Sequence, residues 1–105
     1  WLREIYKNNP KVEALAYDGL TVDCCNEVGA NFILRGIRYV NDFEYEKAIA
    51  DMNRSIDKKI ETIFLTCLPQ FTSVASTLVR DVLRNGGDTS QFLPDVVNLS
   101  IKKKK

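Results

Sequence analysis

Histidine is absent from the 105 residues. That absence removes a Ser-His-Asp triad, a Cys-His nucleophile pair and any histidine metal site from the chemistry this chain can hold. Long apolar runs are missing too. None approaches the ~18 residues that span a bilayer, so an integral membrane protein is not expected, and no basic flank followed by an apolar stretch marks a secretory signal. Cysteine is scarce, with only Cys24, Cys25 and Cys67. An odd count with two adjacent residues makes a poor disulfide framework, and without a C-x-x-C pair no zinc or other metal site is expected. The cysteines read as reduced thiols packing as small hydrophobes in a cytoplasmic protein. Surplus positive charge is scarce as well. Four of the 15 basic residues are the terminal run Lys102 to Lys105; the other 11 face 14 acidic residues, a formal charge of −3. A nucleic-acid surface wants a basic field, so no nucleic-acid partner is expected. The lysine run reads as a solvated, frayed end.

What remains is an ordinary globular composition, 45% hydrophobic and 28% charged, of a length that fits one domain. Trp1, Leu2, Ile5 and Tyr6 have helical spacing, stopped by Asn8-Asn9-Pro10; a helix with no visible start suggests a fragment or processed piece. Val12 to Tyr17 reads as a strand closed by Asp18-Gly19, and Leu20 to Val28 as a helix capped by Gly29. Phe32 to Leu34 is a short apolar strand ending in Arg35-Gly36-Ile37-Arg38. Asn41 reads as an N-cap with Glu44 as its capping-box partner, opening a helix to about Ile56. Ile60 to Cys67 reads as a third strand, Ser76 to Arg84 as a helix closed by Asn85-Gly86-Gly87, and Pro94 as the start of a last helix. Strands alternating with helices predict βαβ units and an α/β fold with a parallel sheet.

In open parallel sheets, ligands sit beyond the carboxyl ends of the strands. Asp18 to Thr21, Arg35 to Arg38 and Cys67 to Ser76 fall there. Two arginines flanking a glycine suit phosphate oxygens, and a helix start rich in hydroxyls (Thr72, Ser73, Ser76, Thr77) offers an anion site. Either feature alone is more often a solvated loop or a simple cap; together they suggest a phosphorylated or nucleotide ligand. On the helix after Asn41, the predicted apolar arc holds Phe43, Tyr45, Ile49, Ala50, Met52 and Ile56, with Glu46 and Asn53 inside it. A carboxylate on such an arc needs a partner: a salt bridge to Arg35 or Arg38, a bound nucleotide, or both.

The stretch R-G-I-R-Y-V-N-D-F-E-Y-E at 35–46, with A-x-M-N-R after it, D-G-L-T-V-D at 18–23 and G-G-D-T-S-Q-F-L-P at 86–94, closely resembles bacterial phosphopantetheine adenylyltransferase, a member of the nucleotidyltransferase superfamily. The resemblance covers essentially the whole chain. It implies a transferase of coenzyme A biosynthesis, moving an adenylyl group from ATP to 4′-phosphopantetheine with Mg²⁺ and giving dephospho-coenzyme A and pyrophosphate. It further implies a Rossmann-like five-stranded sheet, cytoplasmic location, a homohexamer, and dephospho-coenzyme A or coenzyme A as product or inhibitor. Position by position, Thr21 and Arg35 match the substrate side. Gly36, Ile37, Arg38 and Glu46 match ATP-contacting positions, as does the segment Phe71, Thr72, Ser73, Val74, Ala75, Ser76 and Thr77, where Ala75 replaces a common serine. The family's opening strand, its transition-state histidine and a substrate-binding lysine have no counterpart here. The chain therefore reads as residues 1–105 of a single domain's carboxyl-terminal two thirds, carrying no catalytic residue of its own and expected to be inactive alone. Residues 32–34 and 60–67 are then expected to pair in parallel, with 12–17 set apart from both. A non-catalytic nucleotide-binding or interaction module derived from this fold is the alternative; a related cytidylyltransferase fits D-F-E-Y-E less well.

Overall fold

In a computed structural model, residues 1–97 are described. The elements in chain order are α1 (Leu2–Ile5), α2 (Thr21–Val28), β1 (Phe32–Ile37), α3 (Val40–Ile56), β2 (Glu61–Thr66), a 3-10 turn at Pro69–Phe71, and α4 (Ser76–Arg84). They fall into two compact units. Residues 17–72 form one; residues 1–16 together with residues 73–97 form the other.

The 17–72 unit is built on a strand–helix–strand crossover. β1 and β2 pair in parallel, with Phe32 opposite Glu61, Arg35 opposite Phe64 and Ile37 opposite Thr66. Parallel neighbours need a long connection, and the 17-residue α3 supplies it. Alternation along β1 then puts Ile33, Arg35 and Ile37 on one face and Phe32, Leu34 and Gly36 on the other. The first face meets α3, where Phe43 and Phe64 stack edge-to-face with centroids 5.8 Å apart. The second face is open to solvent: Phe32, Leu34, Ile63 and Leu65 are all exposed.

The core beneath α2 is small. Val22, Cys25 and Ile60 are buried, with Ala30 and Ile33 packed on them. The three cysteines are free, and burial pushes the Cys25 thiol up, which suits the small-hydrophobe reading. α2 ends where Gly29 adopts the left-handed conformation (φ 74°) and its N–H bonds the Cys25 carbonyl. The turn into β2 is held by Asp57, whose carboxylate accepts from Asn26 Nδ2 (2.9 Å) and the Lys59 N–H (3.0 Å).

In the second unit, α4 runs over the predicted residues and is closed by a backbone bond from Gly87 to the Val82 carbonyl (2.9 Å). A Cβ on Gly87 would stand 2.7 Å from Val82 Cγ1, so the close approach requires glycine. α1 is a single turn ahead of Asn8-Asn9-Pro10. Pro94 starts a turn closed by Val97 N–H; the rest of the predicted last helix and the lysine run lie outside the described residues.

Three sequence expectations need correction. Residues 12–17 form no strand: the sheet has two strands among the described residues, and this segment ladders onto neither. β propensity marks a candidate; only a hydrogen-bonded neighbour makes a strand. Second, β1 continues through Arg35, Gly36 and Ile37, because β2 offers partners as far as Thr66. These residues are therefore in the strand, and Arg38 alone of the four follows it. Third, Tyr39 rather than Asn41 precedes the first turn of α3, and Asp42 rather than Glu44 reaches back to the Tyr39 N–H (3.3 Å).

Candidate functional site

Strand pleat and helix periodicity together place the central pair of this site. Arg35 projects from β1 toward α3, and Glu46 stands on the stripe of α3 that meets the sheet. The carboxylate takes the guanidinium as a fork, with Nε donating to Oε2 at 2.8 Å and Nη2 donating to Oε1 at 2.7 Å. Of the two arginines offered as partners by the sequence, Arg35 is the one used. The Glu46 side chain is only 11% exposed while that of Arg35 is 52% exposed, so the cation keeps a face to solvent while the anion does not. The Arg35 hydrogen bonds hold the Glu46 carboxyl below its usual range, and the same bonds raise the guanidinium further.

This pair forms one wall of a recess of about 200 Å³. Thr21, the first residue of α2, lines the same recess, as do Asn53, Thr62, Ile33 and Ile49. Three residues matched to the site by resemblance, Thr21, Arg35 and Glu46, thus come together. Asn53 and Thr62 add polar groups that were not among the candidates. Asn53 was visible on the arc; Thr62 gave no signal, since its place follows from the β1–β2 register.

The arc itself is rotated from the prediction. Glu46, Ile49, Ala50 and Asn53 are the half-buried positions, spaced as one helix face, while Tyr45 and Met52 are 69% and 67% exposed. Apolar content misled here because the inward face of α3 is partly polar.

Arg38 lies outside that recess. It lines a wider apolar hollow of about 650 Å³ with Ile37, Tyr39, Phe43, Phe64 and Thr66. Gly36 sits on the opposite, open face of the strand, with nothing within 4 Å of the position a Cβ would take. The guanidinium of Arg38 stands 5.8 Å from the Tyr39 ring centroid and bonds Asp42.

The 71–77 segment straddles the boundary of the two units. Phe71 ends the 3-10 turn, and Thr72 Oγ1 lies 3.6 Å from Cys67 Sγ. Across the boundary, Ser73 and Val74 line a hollow of about 270 Å³ with Leu78, Val82 and Phe92. Ala75 is the N-cap of α4 and offers no side-chain bond; Ser76 and Thr77 open the helix. The first-turn N–H groups of α4 therefore carry no side-chain cap from Ala75.

No protein-family model matches the chain. Individual relatives do. A phosphopantetheine adenylyltransferase of Flavobacterium psychrophilum is 48% identical over 99 residues, 94% of this chain and 65% of the relative. One of Bacteroides thetaiotaomicron is also 48% identical over the same shares. One of Prochlorococcus marinus is 45% identical over 93 residues, 89% of this chain and 59% of the relative. The chain is homologous to these bacterial enzymes along nearly all its length, and it spans less than two thirds of theirs.

Proposed function

We propose, from this homology, that the chain is part of an enzyme transferring the adenylyl group of ATP to 4′-phosphopantetheine, releasing pyrophosphate and forming dephospho-coenzyme A. The observation that carries the reading is the convergence of Thr21, Arg35 and Glu46 on one recess in a chain 48% identical to named adenylyltransferases. In the proposed reaction a phosphate oxygen of phosphopantetheine attacks the α-phosphorus of ATP in line. The bond from that phosphorus to the bridging oxygen of the β-phosphate breaks, and pyrophosphate leaves. Such a transfer needs no covalent enzyme intermediate, so the work is positioning and charge stabilisation. Arg35 serves the phosphopantetheine phosphate, and Thr21 lines the same site. Gly36, Ile37 and Arg38 serve ATP with Glu46 and the 71–77 segment, whose uncapped helix start suits an anion.

Among the described residues no group of three or more Cys, Asp or Glu side chains is placed to hold a metal ion. Mg²⁺ enters the proposal only as the ion carried by ATP, a setting in which it keeps several waters and takes few protein ligands, and no step is assigned to it. Both compact units are assigned to one nucleotidyltransferase domain with a Rossmann-like parallel sheet, assembled as a homohexamer in the cytoplasm. Among the described residues no helix is long and apolar enough to cross a membrane.

The test is pyrophosphate release from ATP by the full-length protein carrying this chain. Release that depends on phosphopantetheine supports the proposal. ATP binding without release points to the non-catalytic module. Neither binding nor release overturns both.

A further inference from the structure

Two arginines stand three residues apart at the carboxyl end of β1, and their guanidinium groups are committed differently. Glu46 occupies both Nε and Nη2 of Arg35. Arg38 is gripped only through Nε, which donates to Asp42 Oδ2 at 3.3 Å. The same oxygen accepts the Arg38 backbone N–H at 3.1 Å and the Tyr39 N–H at 3.3 Å. Both Nη groups of Arg38 lack a hydrogen-bond partner within residues 17–72, and Arg38 lines the hollow it shares with Phe43, Phe64 and Thr66. A guanidinium held by Nε presents its paired Nη groups as an open fork, the geometry that suits a phosphate.

We infer that Asp42 is a positioning residue that fixes Arg38, through Nε and the backbone at its base, so that the Nη fork is presented to the polyphosphate of a nucleotide. This rests on the proposed assignment of Arg38 to ATP. Asp42 cannot meet the nucleotide phosphates itself, being an anion; its effect passes through the cation it holds. The Tyr39 ring beside the guanidinium limits the swing that Nε alone would permit. A plain helix-capping role would need only the two backbone bonds. The side-chain bond to Nε is the part that capping does not explain.

The test is a double-mutant cycle read by calorimetric ATP binding to the full-length protein, with the melting temperature recorded for each variant. Asp42→Ala is expected to weaken ATP binding about fivefold to twentyfold, and to add less than about twofold once Arg38→Ala is present. Asp42→Asn keeps an oxygen for the two backbone donors. It is expected to melt near the parent while still losing roughly threefold in ATP affinity, because the charge on Oδ2 is gone. Equal losses from Asp42→Ala in both backgrounds, or an Asp42→Asn variant indistinguishable from the parent, would overturn the inference and leave Asp42 a cap. If Arg38→Ala leaves ATP binding unchanged, the assignment of Arg38 fails and the inference fails with it. If Arg38→Ala weakens binding but Asp42→Ala does not, only the positioning role falls.

Discussion

Arg35 interrupts an otherwise apolar strand, and its cost is met by one carboxylate from the crossover helix. A charged side chain on a sheet face that meets a helix is tolerated when its donors are bonded, and two of them are. Its remaining surface faces solvent. In the full-length protein, Arg35→Ala is expected to lower turnover of phosphopantetheine more than tenfold while changing ATP binding less. A charge-assisted phosphate contact is typically worth ~1.5–3 kcal/mol. Arg35→Lys should not restore it, because an ammonium cannot fork across the Glu46 carboxylate. Steady-state kinetics with each substrate varied in turn will show the split; equal effects on both would reassign Arg35. Glu46 carries a second prediction. Its folded pKa lies below the unfolded value of ~4.3, so its contribution is fully present above that pH and is lost as pH falls through the folded pKa. The melting temperature should therefore fall on acidification below about pH 4, and Glu46→Gln should flatten part of that slope. An unchanged profile in the Gln variant would show that the pair contributes nothing to acid sensitivity.

Among the elements, α2 depends most visibly on particular residues. It buries Val22 and Cys25 against Ile60 and ends on a left-handed Gly29. Gly29→Ala meets no neighbour within 4 Å, so its effect is purely conformational, a loss of ~1 kcal/mol or slightly more in urea unfolding. Val22 is 1% exposed. Val22→Ala removes about two methylene equivalents and leaves a cavity, a loss of roughly 1.5–3 kcal/mol. If Gly29→Ala proves the costlier of the two, the small core is not what secures this helix. α3 teaches the opposite lesson. Its inward stripe mixes Glu46 and Asn53 with Ile49 and Ala50, so the helix owes its place to an ion pair and an aromatic contact as much as to apolar burial.

At the scale of the molecule, the open face of the sheet dominates. Phe32, Leu34, Ile63 and Leu65 share it through the β1–β2 register, and all are exposed. A two-stranded sheet with bare apolar side chains is a poor stand-alone structure in water. The 105-residue chain expressed by itself is expected to bind a hydrophobic dye and to associate as its concentration rises, with Leu34→Glu reducing both. It is also expected to release no pyrophosphate from ATP and phosphopantetheine, since the histidine that the resemblance assigns to the transition state is not in this sequence. A monomeric species with one cooperative transition, or measurable turnover, would refute the corresponding part.

Local events are set by the neighbouring residues alone. Gly29 and the Asn85-Gly86-Gly87 run fix where α2 and α4 stop, because those backbone conformations and close approaches are set within a few residues. The alternation of apolar runs and helices predicts a parallel sheet; the resemblance carried by R-G-I-R and D-F-E-Y-E adds the pairing of residues 32–34 with 60–67, which β1 and β2 make. Tertiary structure decided whatever depends on a partner distant in sequence. Residues 12–17 carry strand-like side chains, yet a strand exists only where a neighbouring backbone accepts its hydrogen bonds. Arginine and glycine weaken the strand signal at residues 35 and 36, and β2 overrides that weakness by pairing through Thr66. Glu46 had two possible arginines in the sequence. The pleat of β1 settles the choice: it turns Arg35 toward α3, while Arg38, beyond the strand, turns to Asp42.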